Sequence, residues 1–312
     1  MIDLKTWRAA GETFNFSQQP IFTRKGGREG AAPLLLIHGY PTSSWDWNKV
    51  WPALGECYAL YTLDMLGFGD SAKPRDCAYR IAQQADLIEA WLSSQGLREY
   101  HILAHDYGDT VAQELMARDN LRRASKTAGG CRLRIASVAL LNGGLFPETH
   151  RAALIQKLLL SPLGPLVARF TTKERMAANL RAIFGAQTPP SQEEIDGFWE
   201  LICQNNGKRA LQRLINYMTQ RKQNRSRWVG ALQQSPVPIK LINGSVDPVS
   251  GAHMVERYRE LVANADVTAL ANIGHYPQVE APQAVVDAYL CFRAAQQRAA
   301  NGARRQAAPV ES

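Results

Sequence analysis

Ala104-His105-Asp106-Tyr107-Gly108 lies between an apolar run, Tyr100 to Ala104, and a stretch of helical character, Thr110 to Arg118. Where a strand turns sharply into a helix and exposes one residue at the bend, small residues are needed two positions before and after it, because the two backbones approach closely there. Ala104 and Gly108 hold those positions, and the exposed residue is a carboxylate, Asp106. The motif therefore has the form of a nucleophile elbow carrying Asp. Taken alone it also admits a plainer role, with Asp106 capping the following helix.

Outward from the elbow, strand and helix signals alternate, as in βαβ units of a largely parallel sheet. Leu34 to Ile37, Tyr58 to Leu63, Tyr100 to Ala104, Ile135 to Leu141, Ile239 to Ile242 and Val267 to Leu270 are short apolar runs of the kind covered on both faces. Helices are expected over Ser44 to Leu54, Ile81 to Ser94, Thr110 to Arg118, Ala252 to Val262 and Gln283 to Gln297. The segment before Pro33 is expected to add one or two antiparallel edge strands. From about Gly144 to Trp228 the pattern turns helical without strands, over Ala152 to Leu160, Lys173 to Phe184, Glu193 to Gln204 and Arg209 to Arg221. An α/β core over 1–143 and 231–298, a helical cap over 144–230 and a loose, Ala- and Arg-rich tail over 299–312 follow from this division.

The elbow needs partners. His38-Gly39-Tyr40-Pro41 directly follows the first apolar strand, where a loop can supply one oxyanion-hole N–H while the residue after the nucleophile supplies the other. Those donors are Tyr40 and Tyr107. Asp247, in Asn243-Gly244-Ser245-Val246-Asp247-Pro248, follows the strand after the helical segment, and His275, in Gly274-His275-Tyr276-Pro277, precedes the last helix. The chain order nucleophile, acid, histidine gives a candidate triad of Asp106, Asp247 and His275. The remaining histidines fit a base less well: His38 and His105 sit in motif positions more often structural, His101 in a strand and His253 on a helix.

Composition narrows the classes. The 312 residues, 46% hydrophobic, suffice for a large core. Five scattered cysteines without a Cys-x-x-Cys pair argue against a disulfide framework and against a zinc site, and suggest a reducing, cytoplasmic setting. Met1 to Phe16 is too charged for a signal peptide or anchor, and no run approaches the roughly 20 apolar residues that cross a bilayer. The net charge of +8 gathers in Arg122 to Arg134, Lys208 to Arg227 and Arg304-Arg305, without a nucleic-acid motif. Solvated surface is expected there, with an anionic partner or peripheral contact with a membrane surface as the alternative. No cofactor or metal is expected.

The stretches His38 to Ser44, Asp64 to Ser71, His105 to Asp109, Asn142 to His150, Asn216 to Lys222, Arg227 to Leu232 and His275 to Gln278 together resemble the epoxide hydrolase and haloalkane dehalogenase branch of the α/β-hydrolase superfamily. More closely they resemble the mesoderm-specific transcript proteins and their bacterial relatives. The resemblance implies an α/β-hydrolase fold, a mostly parallel eight-stranded sheet flanked by helices with an inserted helical cap. It implies a small apolar organic substrate and water, attack by Asp106 at carbon, and a covalent ester that His275 helps water to cleave. Epoxide hydrolases of this kind activate the ring oxygen from the cap. Tyr217 and His150, the only Tyr and His between Gly144 and Gly230, match those positions by resemblance. A packed aromatic and a surface residue are their bland alternatives. Dehalogenases usually carry Trp just after the nucleophile, where this chain has Tyr107, and Asp109 departs from a usual Gly. Epoxide hydrolysis is thus the expected activity, with C–halogen hydrolysis as alternative and a catalytically weak binding or regulatory member as another class.

Overall fold

The structure, a computed structural model, describes residues 1–125 and 133–307. A short helix, α1 (Leu4–Ala9), precedes a hairpin of β1 (Gly11–Phe16) and β2 (Gln19–Gly27). Then come β3 (Pro33–Ile37), α2 (Trp51–Gly55), β4 (Ala59–Leu63), α3 (Ile81–Ser94), β5 (Glu99–His105), α4 (Tyr107–Ala124) and β6 (Arg134–Leu141). Seven helices follow without a strand: α5 (Leu154–Leu160), α6 (Gly164–Arg169), α7 (Lys173–Ile183), α8 (Gln192–Cys203), α9 (Lys208–Leu214), α10 (Tyr217–Gln223) and α11 (Arg225–Gln233). The chain ends on β7 (Ile239–Gly244), α12 (Ala252–Leu261), β8 (Asp266–Leu270), α13 (Pro277–Glu280) and α14 (Pro282–Ala307).

Among the described residues the strands form one eight-stranded sheet in the order β1-β2-β4-β3-β5-β6-β7-β8. The β1–β2 and β2–β4 pairs are antiparallel and all others parallel. The apolar runs explain this: Leu34, Leu35, Leu36 and Ile37, and likewise Ile102, Leu103 and Ala104, are buried, with helices over both faces. After β3 the chain steps to β4 on one side, whereas β5 returns to the other side of β3. The carboxyl ends of β3 and β5 thus flank a switch point, where sheets of this kind leave a crevice. His38 to Tyr40 and Asp106 are the residues that emerge there.

Several elements differ from the sequence reading. The expected helix over Ser44 to Leu54 is a 3₁₀ turn, Ser44–Trp47, followed by α2, which restarts with Pro52 in its first turn. The expected helix over Arg209 to Arg221 breaks at Ile215-Asn216 into α9 and α10, tightened by the Met218 N–H to Ile215 carbonyl bond of 3.1 Å. Between the helices expected over Ala152 to Leu160 and Lys173 to Phe184 stands a further short helix, α6, with Pro165 in its first turn, where the missing N–H costs nothing. α11 extends past residue 230 and packs on α4. The tail expected from residue 299 continues α14 to Ala307, because Ala, Arg and Gln are strong helix formers. Cys131, the centre of the Arg122 to Arg134 stretch and the last five residues lie outside the described residues.

The basic stretch Lys208 to Arg227 is more than a solvated face. Arg221 is buried, and Arg227 and Arg225 form ion pairs with Glu114 and Glu148 at 2.7 and 2.5 Å. No helix among the described residues is long and apolar enough to cross a membrane.

Candidate active site

The elbow is built by close approach. Asp106 has φ +46° and ψ −103°, a conformation that L residues adopt at a cost. A methyl group on Gly108 would strike the carbonyl oxygens of Ile37 and His38, so only glycine lets α4 leave β5 this close to β3. A side chain on Gly39 would similarly meet the His105 ring and Cβ of Asp106. Asp106 makes no side-chain capping bond to α4, which leaves its carboxylate available for other partners and sets aside the plain capping role.

Those partners are specific. Oδ2 of Asp106 accepts the Tyr40 backbone N–H at 3.1 Å, while Oδ1 accepts the Tyr217 hydroxyl at 3.4 Å. Nε2 of His275 lies 4.0 Å from the same Oδ1. Tyr107 opens α4 immediately after the elbow. Its fully buried ring packs on Phe68 and Tyr217, with centroids 5.2 and 4.9 Å away. Burial and the nearby Asp106 charge hold the Tyr217 phenol well above its ordinary pKa, so it stays a proton carrier.

His275 is oriented from behind. Its Nδ1–H donates to Oδ2 of Asp247 at 2.7 Å. Asp247 also receives the backbone N–H groups of Val249 (2.8 Å) and Ser250 (3.1 Å) and the side-chain amide of Asn142 (2.9 Å), and the Ser250 hydroxyl lies 2.7 Å from it. Burial works against the Asp247 charge, but His275 and these donors outweigh it and hold the carboxyl down to about 2. Burial likewise opposes the imidazolium of His275. Asp247, and then Asp106, overcome it and raise the ring to about 9.

The other histidines are occupied structurally. His38 accepts the Met65 N–H on Nε2 at 3.0 Å and donates from Nδ1 to the Gly39 carbonyl at 2.8 Å. His105 donates from Nε2 to the His275 carbonyl at 2.8 Å. Burial lowers them to about 4 and about 3, so both are neutral at pH 7. Asp64 to Ser71, without a role in the sequence, forms a loop tied by Asp64, which accepts the Ser44 and Asp70 N–H groups at 2.8 and 2.7 Å. That loop carries Phe68 to its place beside His38 and Tyr107.

His150 does not join Tyr217 at the carboxylate. It borders a small hollow with Pro147, Met218 and Arg221, and burial together with Arg221 lowers it to about 4 against the opposing pull of the Asp106 charge. A cavity opens on Asp106 and His275, with about 930 Å³ of empty space counting the solvent at its mouth. Its wall is mostly apolar: Ile155, Leu159, Met176, Leu180, Ile183, Trp199, Ile202 and Leu211 come from the helical insertion, with Asn179 and Gln156 among the few polar groups.

Three residues escaped assignment from sequence. Arg221 is buried beside the elbow: its Nε donates to Thr110 at 2.7 Å, Nη2 donates to the Asp106 carbonyl at 3.2 Å, and the guanidinium covers the Tyr217 ring at 4.4 Å. Asp109, flagged only as an extra charge, is fully buried, and burial with the Asp106 charge pushes its carboxyl well above the ordinary carboxylate range. Asn142, at φ +44°, joins β6 to Asp247 and to Gly244. The Asn-Gly-Gly that ends an apolar strand was its visible signal, since Asn tolerates positive φ.

The sequence profile of the alpha/beta hydrolase family matches residues 34–288. The mesoderm-specific transcript homolog protein of Homo sapiens is 40% identical over 298 residues, covering 93% of this chain and 87% of that protein. Two solved structures share the fold. A haloalkane dehalogenase loop variant from Bradyrhizobium elkanii has a TM-score of 0.75 at 20% identity over 92% of this chain and 98% of its own. The epoxide hydrolase CorEH has a TM-score of 0.72 at 19% identity over 92% and 99%. At those identities the two structures speak for the architecture alone. The profile match and the 40% relative go further: this chain belongs to the alpha/beta hydrolase family.

Proposed function

We propose that the protein is an Asp-nucleophile hydrolase that opens an epoxide to a diol. The observation that carries this reading is the division of labour at one carboxylate. Oδ2 of Asp106 rests on the Tyr40 N–H, while Oδ1 stands beside the Tyr217 hydroxyl and His275. In this reading Oδ1 attacks a ring carbon, the C–O bond breaks, and the ring oxygen takes a proton from Tyr217 as it leaves. Oδ2 becomes the carbonyl oxygen of the resulting ester, already in the oxyanion hole. His275 then removes a proton from water, which adds to the ester carbonyl. The oxyanion that develops on Oδ2 is held by the N–H groups of Tyr40 and Tyr107, and Asp247 stabilises the imidazolium. On collapse the ester C–O bond breaks, the imidazolium of His275 gives its proton to the departing alkoxide, and the proton left on the regenerated carboxyl group returns to the Tyr217 phenolate, which frees the diol and restores the carboxylate. Residues 144–230 act as a cap whose inner face sets an apolar substrate against Asp106, with Tyr217 as the proton donor and His150 outside the reacting group.

C–halogen hydrolysis would use the same first attack but asks for N–H donors at the leaving halide. The buried ring of Tyr107, packed on Phe68 and Tyr217, supplies none. His275→Gln tests both the chemistry and the class. Incubated with styrene oxide and, separately, with a haloalkane, it should accumulate an adduct on Asp106 from the epoxide, seen by intact mass. Halide release without diol in the wild type would favour dehalogenation, and no adduct with either compound would favour a binding member of the family.

A further inference from the structure

Soluble folds seldom display large apolar side chains in a cluster. Of the nine exposed large apolar residues among the described ones, six fall within Leu154 to Phe170: Leu154, Leu158, Leu160, Leu163, Leu166 and Phe170. They lie close together in the chain, on α5, on α6 and in the residues that join and end these two packed helices. α5 and α6, which pack on each other, carry the same short pattern twice: Leu154, Lys157 and Leu158 on one, Leu166, Arg169 and Phe170 on the other. Spacings of three and four place each set on a single helical face, with the cation at its flank. Both Lys157 and Arg169 are exposed, and no Asp or Glu occurs from residue 149 to residue 173.

The opposite side of α5 is equally committed. Ile155 and Leu159 line the cavity that opens on Asp106, so a single helix separates that cavity from the apolar surface. We infer that this face docks on a lipid surface bearing anionic headgroups. Leucines and a phenylalanine enter the interface while Lys157 and Arg169 extend their stems along it and meet the phosphates. A second copy of the chain would suit the apolar side chains as well. It would also bring Lys157 and Arg169 against the same uncompensated positive surface, which an anionic bilayer neutralises. The inference concerns this surface and does not depend on the chemistry assigned to Asp106.

Flotation of the purified full chain with vesicles tests it. Binding is expected to vesicles of phosphatidylcholine with phosphatidylglycerol, more weakly to phosphatidylcholine alone, and to fall in high salt. The variant carrying Leu158→Asp, Leu163→Asp and Leu166→Asp should lose about tenfold or more in partitioning, while its melting temperature stays that of the wild type because all three side chains are already exposed. Arg169→Gln should lose about fivefold on anionic vesicles only. Absence of wild-type binding, or equal binding by the triple variant, overturns the inference. So does a wild-type dimer that the variant dissolves without either protein floating.

Discussion

At the scale of single residues, the site assigns one job to each polar atom, and Tyr217 has the most exacting one. Its ring is fully buried between Tyr40, Tyr107 and the Arg221 guanidinium, and its hydroxyl reaches Oδ1 of Asp106 at 3.4 Å. Tyr217→Phe keeps that packing and removes only the hydroxyl. The fold should therefore lose about 1 kcal/mol, the net worth of one hydrogen bond. Adduct formation with an epoxide should slow by about 10²–10⁴-fold, since the leaving alkoxide loses its acid. Rapid-quench mass spectrometry reads this directly, and an unchanged first step would remove Tyr217 from the mechanism. Arg221 serves a different end: it bonds the elbow carbonyl, Thr110 and the Tyr217 face at once, and so ties the Tyr217 ring to the turn that carries Asp106.

At the scale of elements, two helices decide whether the site holds its shape. α4 leaves the elbow, and α11, the last helix of the insertion, packs on it. Glu114 of α4 joins them, accepting Arg227 at 2.7 and 3.0 Å, the Trp228 indole N–H at 2.8 Å and Arg118 at 2.9 Å. Burial opposes the Glu114 charge, but these donors hold its carboxyl below the ordinary range. Glu114→Ala leaves the buried indole N–H without its acceptor and uncouples α11 from α4. A loss of about 2–3 kcal/mol is expected, read from urea unfolding. Glu114→Gln keeps an acceptor for Trp228 and should recover part of it. If the alanine variant matched the wild type, the α4–α11 junction would not depend on this contact.

For the whole molecule, the pair formed by His275 and Asp247 links stability and turnover to pH. The folded state raises His275 from 6.5 to about 9, so its contribution to stability is complete below 6.5 and is lost as pH rises through about 9. The folded state lowers Asp247 from 3.8 to about 2, so its contribution is complete above 3.8 and is lost as pH falls through about 2. The stability gap between wild type and Asp247→Asn should therefore be widest between these ordinary values and narrow at alkaline pH, as followed by melting temperature. Turnover carries a second signature. Alkylating Asp106 removes one of the charges that raise His275, so ester hydrolysis should speed up with pH about a midpoint below 9. A flat decay of the adduct against pH would exclude His275 as the base.

Much of this was legible in the chain itself, for physical reasons. The strands of the core are short runs of Leu, Ile, Val and Ala, which only a doubly covered sheet buries. Ala104 and Gly108 announce the elbow, and Asp106, Asp247 and His275 each follow a strand, so their order already places them at one edge of the sheet. What the linear pattern lacks is distance. Arg221 reads as one more member of a basic run until the break at Ile215-Asn216 turns it inward to the elbow. His150 and Tyr217 look equivalent as the lone His and Tyr of the insertion, and packing brings only Tyr217 to the carboxylate. For a helix such as that expected over Ala152 to Leu160, periodicity reports only that it has an apolar face. Whether that face meets protein or solvent is decided by which neighbours the tertiary fold supplies, and among the described residues Leu154, Leu163, Leu166 and Phe170 are left more than half exposed.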